Sequence, residues 1–171
     1  MKFKTILFIL IIALFISGCS SQTLQNEEVT NEEVEKEVTS SLNSTEIEAL
    51  NLALEDEYKA QKTYEAIMEE FGEVRPFTNI YQAEITHSTR LEELYEKYNI
   101  EPPLKENVEV DISSISSIQE ACEAGVQGEI ENIALYDEIL NSTQKEDILR
   151  LYESLQRASQ EKHLPAFERC S

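Results

Sequence analysis

The chain has 171 residues and a formal net charge of −20, with 34 acidic and 14 basic side chains. This length fits one domain. A charge this negative repels phosphate backbones, so nucleic acid is excluded as an expected partner. Hydrophobic residues make up 41% of the chain, whereas four glycines and four prolines are too few for a turn-rich β protein. The composition therefore predicts an all-α fold.

The N-terminus has the pattern of a secretion signal. Two lysines precede an unbroken apolar run over residues 6–16, which is too short to span a bilayer stably. The run leads into the sequence Ile-Ser-Gly-Cys, which ends at Cys19 and resembles the lipobox of bacterial lipoproteins. This resemblance implies removal of residues 1–18 and acylation of Cys19, and hence a lipid-anchored protein on the cell membrane that faces outside the cytoplasm. The alternative is a signal followed by a chance cysteine.

The next segment has the composition of a flexible linker. Residues 19–42 are rich in Ser, Thr, Asn, Gln and Glu and contain few large apolar side chains. Such a segment cannot bury enough surface to fold, and its like charges extend it. We therefore expect an acidic disordered tether, followed by a globular domain at residues 43–171.

Helix-start signals divide the globular part into four helices. Thr45, Ser117 and Thr143 each precede a glutamate by three residues, as in a capping box, and Pro76 opens another segment. Gly72 is the expected end of the first helix. The pattern predicts helices at residues 45–71, 77–98, 117–141 and 143–168.

The connections between these helices predict the topology. Short turns join the first helix to the second and the third to the fourth, so each pair should form an antiparallel hairpin. Residues 99–117 connect the hairpins and can return along the bundle, since an extended chain covers about 3.3 Å per residue. Such a crossover distinguishes ferritin-like bundles. We predict a ferritin-like four-helix bundle of two antiparallel hairpins joined by a long crossover.

Charged side chains interrupt the apolar stripes that should face the bundle interior. Glu57 lies in the stripe of the first helix, Glu84 and His87 in that of the second, and Glu129 in that of the third. Buried carboxylates are costly unless they are protonated, paired or bound to a cation. A bound metal ion neutralises several of them at once. These four residues are therefore predicted metal ligands; the alternative is a solvated face or a hydrogen-bonded core pair.

The sequence resembles the DUF2202 domain, an uncharacterised ferritin-like family of bacteria and archaea. The resemblance is carried by four segments, residues 53–64, 77–87, 124–136 and 159–167. It implies a bundle related to ferritins and rubrerythrins, and those relatives imply a di-iron carboxylate centre. Carried over by position, it implies the same four residues as ligands.

The fourth helix departs from the full di-iron pattern, which expects a second Glu-x-x-His. Counted from Glu129 with the spacing of the first hairpin, the matching positions hold Gln156 and Ser159, which are poor iron ligands. His163 is either a ligand or a core or capping histidine, and it lies four residues after the serine, where the family has three. Pro165 favours a break in the helix beside it. A complete di-metal site, a single metal, an asymmetric pair and a degenerate site all remain open.

Two cysteines should lie at one end of the second hairpin. Cys122 is near the start of the third helix and Cys170 near the end of the fourth. An exported protein permits a disulfide, but straight helices leave an axial mismatch of about 10 Å, which a bend at Pro165 would close. The sequence leaves open a disulfide or two free thiols.

These features favour a membrane-anchored, ferritin-like metal-binding protein outside the cytoplasm, either a di-iron carboxylate oxidase or peroxidase or an iron-binding protein. Iron is the expected cofactor, and another divalent metal fits the same ligands. The alternative is a non-catalytic ferritin-like binding or structural module with a degenerate metal site. The expected partners are a metal ion and the membrane, through Cys19.

Overall fold

The computed structural model describes residues 41–171. The predicted signal segment, the predicted acylation site at Cys19 and nearly all of the predicted tether lie outside the described residues. The described part is helical: α1 (Ser44–Phe71), α2 (Phe77–Tyr98), α3 (Ile118–Ile139), α4 (Glu146–Ala158) and α5 (Leu164–Glu168), with a π-helical turn (Ser159–His163) that joins α4 to α5. None of these helices is long and apolar enough to cross a membrane.

The helices form two antiparallel hairpins. One hairpin is α1 with α2, and in the other α3 packs against the continuous α4, π-helical turn and α5. The connection between the hairpins, residues 99–117, contains a 3-10 turn at Lys105–Asn107 and runs from the end of α2 to the start of α3 at the opposite end of the bundle. The predicted all-α four-helix bundle is confirmed.

α1 begins at a capping box two residues before the predicted one, so that prediction was wrong. The side chain of Asn43 accepts hydrogen bonds from the backbone N–H groups of Thr45 and Glu46, and the Glu46 carboxylate accepts one from the Asn43 N–H. The predicted pair was Thr45 with Glu48; asparagine caps helices at least as well as threonine, and it comes two residues earlier. Leu42, assigned to the tether, is buried beside this cap, so the packed chain begins before residue 43.

Two other predicted helix ends are confirmed and one is wrong. Ser117 caps α3, and Gly72 ends α1 with a φ of 92°, which glycine adopts readily. Thr143 does not cap α4, which starts at Glu146. Its hydroxyl instead donates a 2.6 Å hydrogen bond to Glu46. The threonine therefore ties the second hairpin to the start of α1, and its hydroxyl oxygen also accepts the Lys145 N–H at 3.0 Å just before α4 begins.

The apolar core consists of two clusters. The first lies where α1 begins and α2 ends and contains Leu50, Leu94 and Tyr152. The second lies where α1 ends and α3 begins and contains Ile67 and Phe167. On each of the four helical rods, buried polar side chains lie between residues of the two clusters. The interior is therefore apolar at both ends and polar in the middle.

Candidate metal centre

The central polar layer contains the four predicted ligands and also His163, whose role the sequence left open. Glu57, Glu84, His87, Glu129 and His163 are each no more than 9% exposed. They come from α1, from α2, from α3 and from the π-helical turn, so every rod of the bundle contributes at least one. Residues far apart in the sequence thus converge because the helical repeat turns each of them inward at the same height.

The first three-residue group lies on the α1–α2 hairpin. His87 Nδ1 is 2.7 Å from Glu84 Oε2 and 3.3 Å from Glu57 Oε2. The ligand-type atoms of these three residues all lie within 4.8 Å of one another. The separation of three residues between Glu84 and His87 puts both on one face of α2, as predicted.

The second group joins the two hairpins. His163 Nδ1 is 3.0 Å from Glu84 Oε1 and 3.4 Å from Glu129 Oε2. These three residues also bring their ligand-type atoms within 4.8 Å of one another. Glu84 therefore belongs to both groups, with one carboxylate oxygen directed to each imidazole. The rings of His87 and His163 stack with their centroids 5.5 Å apart.

Two buried tyrosines hold the outer carboxylates. Tyr136 on α3 donates a 2.8 Å hydrogen bond to Glu57 Oε1, and Tyr64 on α1 donates one of 2.9 Å to Glu129 Oε1. Each tyrosine follows a site glutamate by seven residues but binds the glutamate of the opposite hairpin. The remaining oxygen of each carboxylate faces a histidine. The tyrosines thus fix the direction in which the carboxylates present their free oxygens.

Burial and the neighbouring charges shift the pKa values of the site residues. Burial and the negative charge of Glu84 raise the pKa of Glu57 to about 8. Burial opposes ionisation of Glu84 too, but the two imidazoles, whose Nδ1 atoms lie 2.7 and 3.0 Å from its oxygens, outweigh burial and lower its pKa to about 2. The carboxylates likewise outweigh burial at the imidazoles and raise the pKa of His87 to about 9 and of His163 to about 10. Protons therefore offset the buried negative charge.

The donor set fits a divalent cation. Three carboxylates and two imidazoles are ligands for iron, manganese or zinc. Glu57 Oε2 and His163 Nδ1 are buried atoms without a hydrogen-bond partner, although unpaired buried polar atoms are uncommon. Both atoms face the other members of their groups. The buried Glu and His groups could therefore hold one or two metal ions.

The π-helical turn brings His163 into the site. A π-helix bonds residues five apart and so accommodates an extra residue, which matches the longer spacing from Ser159 to His163. The break predicted at Pro165 does not occur. The backbone dihedral angles of Ser159, His163 and Leu164 are all right-handed helical, so the helix continues. The Leu164 N–H bonds the Ser159 carbonyl in the rearranged turn.

The fourth rod contributes no carboxylate to the layer. Gln156 donates hydrogen bonds to Asp137 and to a backbone carbonyl of α3. Ser159 is buried and donates to Asn132 at 2.7 Å, and Gln160 is exposed. The five-residue set is thus asymmetric, with two carboxylates and one histidine from the first hairpin and one carboxylate and one histidine from the second.

A disulfide joins the two ends of the second hairpin. Cys122 and Cys170 are bonded, with their Cα atoms 5.7 Å apart. The axial mismatch of about 10 Å was expected for straight helices, and a bend at Pro165 was expected to close it. The helix is continuous through Pro165, α5 ends at Glu168, and Cys170 lies beside Cys122 in the second apolar cluster.

Comparison with known sequences assigns the family. Residues 46–170 match the family described as "Uncharacterized protein domain (DUF2202)". The chain belongs to the DUF2202 family. No curated protein matches this DUF2202 chain significantly.

One solved structure is similar to this DUF2202 domain. It is the "Crystal structure of hypothetical protein MJ0754 from Methanococcus jannaschii DSM 2661", which is 28% identical in sequence with a TM-score of 0.67. The similarity covers 76% of this chain and 81% of that one.

The DUF2202 site also contains polar residues whose contacts were not predicted from the sequence. Asn132 links Asp56 to Ser159, donating to Asp56 at 2.8 Å and accepting from Ser159 at 2.7 Å. Lys105 of the crossover donates a 2.5 Å hydrogen bond to the buried Gln61. Ser159 lies at the position that corresponds to His87 in the internal repeat, and this correspondence indicates that its side chain faces the layer. The crossover has no helical periodicity, so nothing in the sequence indicated that its lysine faces the bundle.

Proposed function

We propose that this protein binds two metal ions in its central polar layer, that the metal is iron, and that the centre carries out oxidation or reduction outside the cytoplasm. The observation that carries the proposal is the pair of buried three-residue groups that share Glu84. A carboxylate that offers one oxygen to each group is suited to bridging two cations. A carboxylate in a single ion pair that only stabilises the fold does not need to face two imidazoles in this way.

The residues divide the work between two positions. Glu57 and His87 would hold one ion, Glu129 and His163 the other, and Glu84 both. Iron held by these residues would supply electron exchange with dioxygen or peroxide. The protein supplies a water-poor interior, carboxylates oriented by tyrosines, and imidazoles that release their protons when the ions bind.

The disulfide supports the proposed location. Disulfides persist in oxidising compartments outside the cytoplasm and are rare inside it. The bond between Cys122 and Cys170 therefore agrees with the export and lipid anchoring proposed from the sequence at Cys19. We place the domain on the outer side of the cell membrane.

A second candidate function is metal binding without catalysis. The observation that favours it is the fourth rod, where Gln156 and Gln160 face away from the layer and Ser159 replaces a ligand. A site with one fewer carboxylate still binds cations, so this candidate differs from the first only in turnover. Oxygen consumption or peroxide removal by iron-loaded protein would separate the two.

Anaerobic titration with Fe(II) tests the proposal. We expect the purified protein to bind about two equivalents and Glu84→Ala to bind fewer than one, because the shared carboxylate serves both positions. Glu93→Ala is the matched control, since Glu93 is an exposed glutamate on the same helix, and it should bind as the wild type does. Binding below one equivalent by the wild type, with no effect of Glu84→Ala, would falsify metal binding at this site.

A further inference from the structure

A cavity connects the protein surface to one side of the central layer. Its volume is about 230 Å³, and it lies between α1 and α3. Its rim includes the exposed residues Lys59, Gly128 and Glu131, while its inner wall includes the buried carboxylates of Glu84 and Glu129. A larger depression beside Pro103 and Leu104 touches none of the five site residues.

Small residues keep the cavity open. The walls include Ala60 on α1 and Ala124 and Gly128 on α3. A Cβ atom placed on Gly128 would meet no other atom within 4 Å, whereas one placed on Gly125, a turn earlier, would lie 2.6 Å from the ring of Phe167. Gly125 is thus required for packing, and Gly128 leaves space that packing does not use.

The cavity reaches the two groups of the layer unequally. Both Glu84 and Glu129 line it, whereas the lining, taken over the described residues, includes none of Glu57, His87 and His163. The second group therefore presents its two carboxylates, Glu84 and Glu129, to the opening. The other group shares only Glu84 with the cavity wall and is reached through it.

The charges around the cavity favour cations. Asp56, Glu131 and the two inner glutamates line it together with one lysine, Lys59. The Asn132 amide holds Asp56 in place at 2.8 Å. A cleft lined mainly by carboxylates concentrates cations and repels anions.

We propose that this cavity is the access route by which divalent cations reach the layer, and that they first contact Glu129 and Glu84. This inference rests on the proposed function, because it assumes that the layer binds metal. It adds the route, the wall residues that form it and the order in which the ligands are met. Metal uptake then depends on the gap at Gly128 and on the negative rim.

The test is the rate at which Co(II) loads, followed by its visible absorbance in a stopped-flow instrument. Gly128→Leu narrows the gap without replacing a ligand, and we expect loading at least tenfold slower, equivalent to about 1.4 kcal/mol in the barrier. The final amount of Co(II) bound should equal that of the wild type. Gly128→Ala, which adds only a methyl group, and Ala134→Leu, at an exposed position on the same helix that lies outside the cavity wall, should load at the wild-type rate.

A second pair of measurements keeps the test decisive. Thr63→Leu narrows the cavity from the opposite wall and should slow loading too, so it replaces Gly128→Leu if that variant does not fold. Asp56→Asn should slow loading and weaken its dependence on NaCl concentration, because one attractive charge is lost.

The outcomes distinguish the route from the site. Wild-type binding with unchanged loading rates in both leucine variants overturns the route and leaves metal binding intact. A lower final amount of Co(II) in those variants also overturns it, since the substitutions would then alter the site itself. A wild type that binds no Co(II) or Fe(II) at equilibrium refutes the proposed function.

Discussion

The stability of the metal-free protein should fall as the pH rises from about 6 to 10. In the folded state the carboxylates raise the pKa of His87 to about 9 and of His163 to about 10, from 6.5. Protonated imidazole therefore stabilises the fold fully below pH 6.5, and this contribution disappears as the pH passes the folded-state pKa. Burial and the negative charge of Glu84 raise the pKa of Glu57 to about 8. Glu57 therefore also loses its proton as the pH rises, and this lowers the stability in the same direction.

The size of the effect follows from the pKa of one imidazole. At about 1.4 kcal/mol per pKa unit, the difference between 6.5 and about 9 for His87 corresponds to about 3 kcal/mol. His163 adds to this, but not additively, because both imidazoles contact Glu84. A loss of about 3 kcal/mol or more is a large part of the stability of a typical domain, which is about 5–15 kcal/mol.

Urea denaturation of chelator-treated protein, followed by circular dichroism at several pH values, measures this loss. The chain contains two histidines, both in the site, so no other imidazole titrates in this range. His87→Gln should flatten the pH dependence, and saturating Zn(II) should reverse it, because the ligands bind metal in their deprotonated form. A free energy of unfolding that stays constant or rises over this range in the wild type would refute the assigned proton positions.

Three further sets of substitutions test the surroundings of the site. Replacing the disulfide-bonded Cys122 and Cys170 by serine should lower the free energy of unfolding by about 2–4 kcal/mol, as should dithiothreitol added to the wild type; equal stability with and without the bond would contradict this. Gly125→Ala should cost about 1–3 kcal/mol in denaturant melts, because its methyl group would lie 2.6 Å from a buried aromatic ring, and a neutral result would mean that the ring moves freely. Tyr136→Phe removes a 2.8 Å hydrogen bond to a site carboxylate and should weaken metal affinity about tenfold or more in competition with a chelating dye. Tyr152→Phe, whose buried hydroxyl has no hydrogen-bond partner, is its control and should leave the affinity unchanged; a similar loss in both variants would point to general destabilisation.

The inward-facing residues could be predicted because they follow the helical repeat. Glu57, Glu84 and Glu129 interrupt apolar stripes at the spacing of a bundle interior, and the structure buries all three. The position of His163 could not be derived in the same way. A regular helix has a fixed angle per residue, and the π-helical turn (Ser159–His163) changes that angle where the histidine lies.

Sequence motifs within one segment also did not predict contacts between distant segments. Thr143 has the sequence of a helix cap, but its hydroxyl bonds Glu46 at the start of α1. The same limit applies to Lys105, whose bond to Gln61 depends on the path of the crossover. Such contacts depend on where distant segments come together, and spacing along one segment does not contain that information.

The disulfide closes residues 122–170 into a covalent ring that includes the second hairpin except for the first turn of α3. A protease that cuts the turn between α3 and α4 would therefore release no fragment until a reductant is added. Glu129 and His163 both lie inside the ring, on opposite sides of that turn. A nicked chain would keep these two residues tethered to each other, so the second half of the layer would tolerate backbone cleavage. The first hairpin has no such link among its described residues and would not tolerate it.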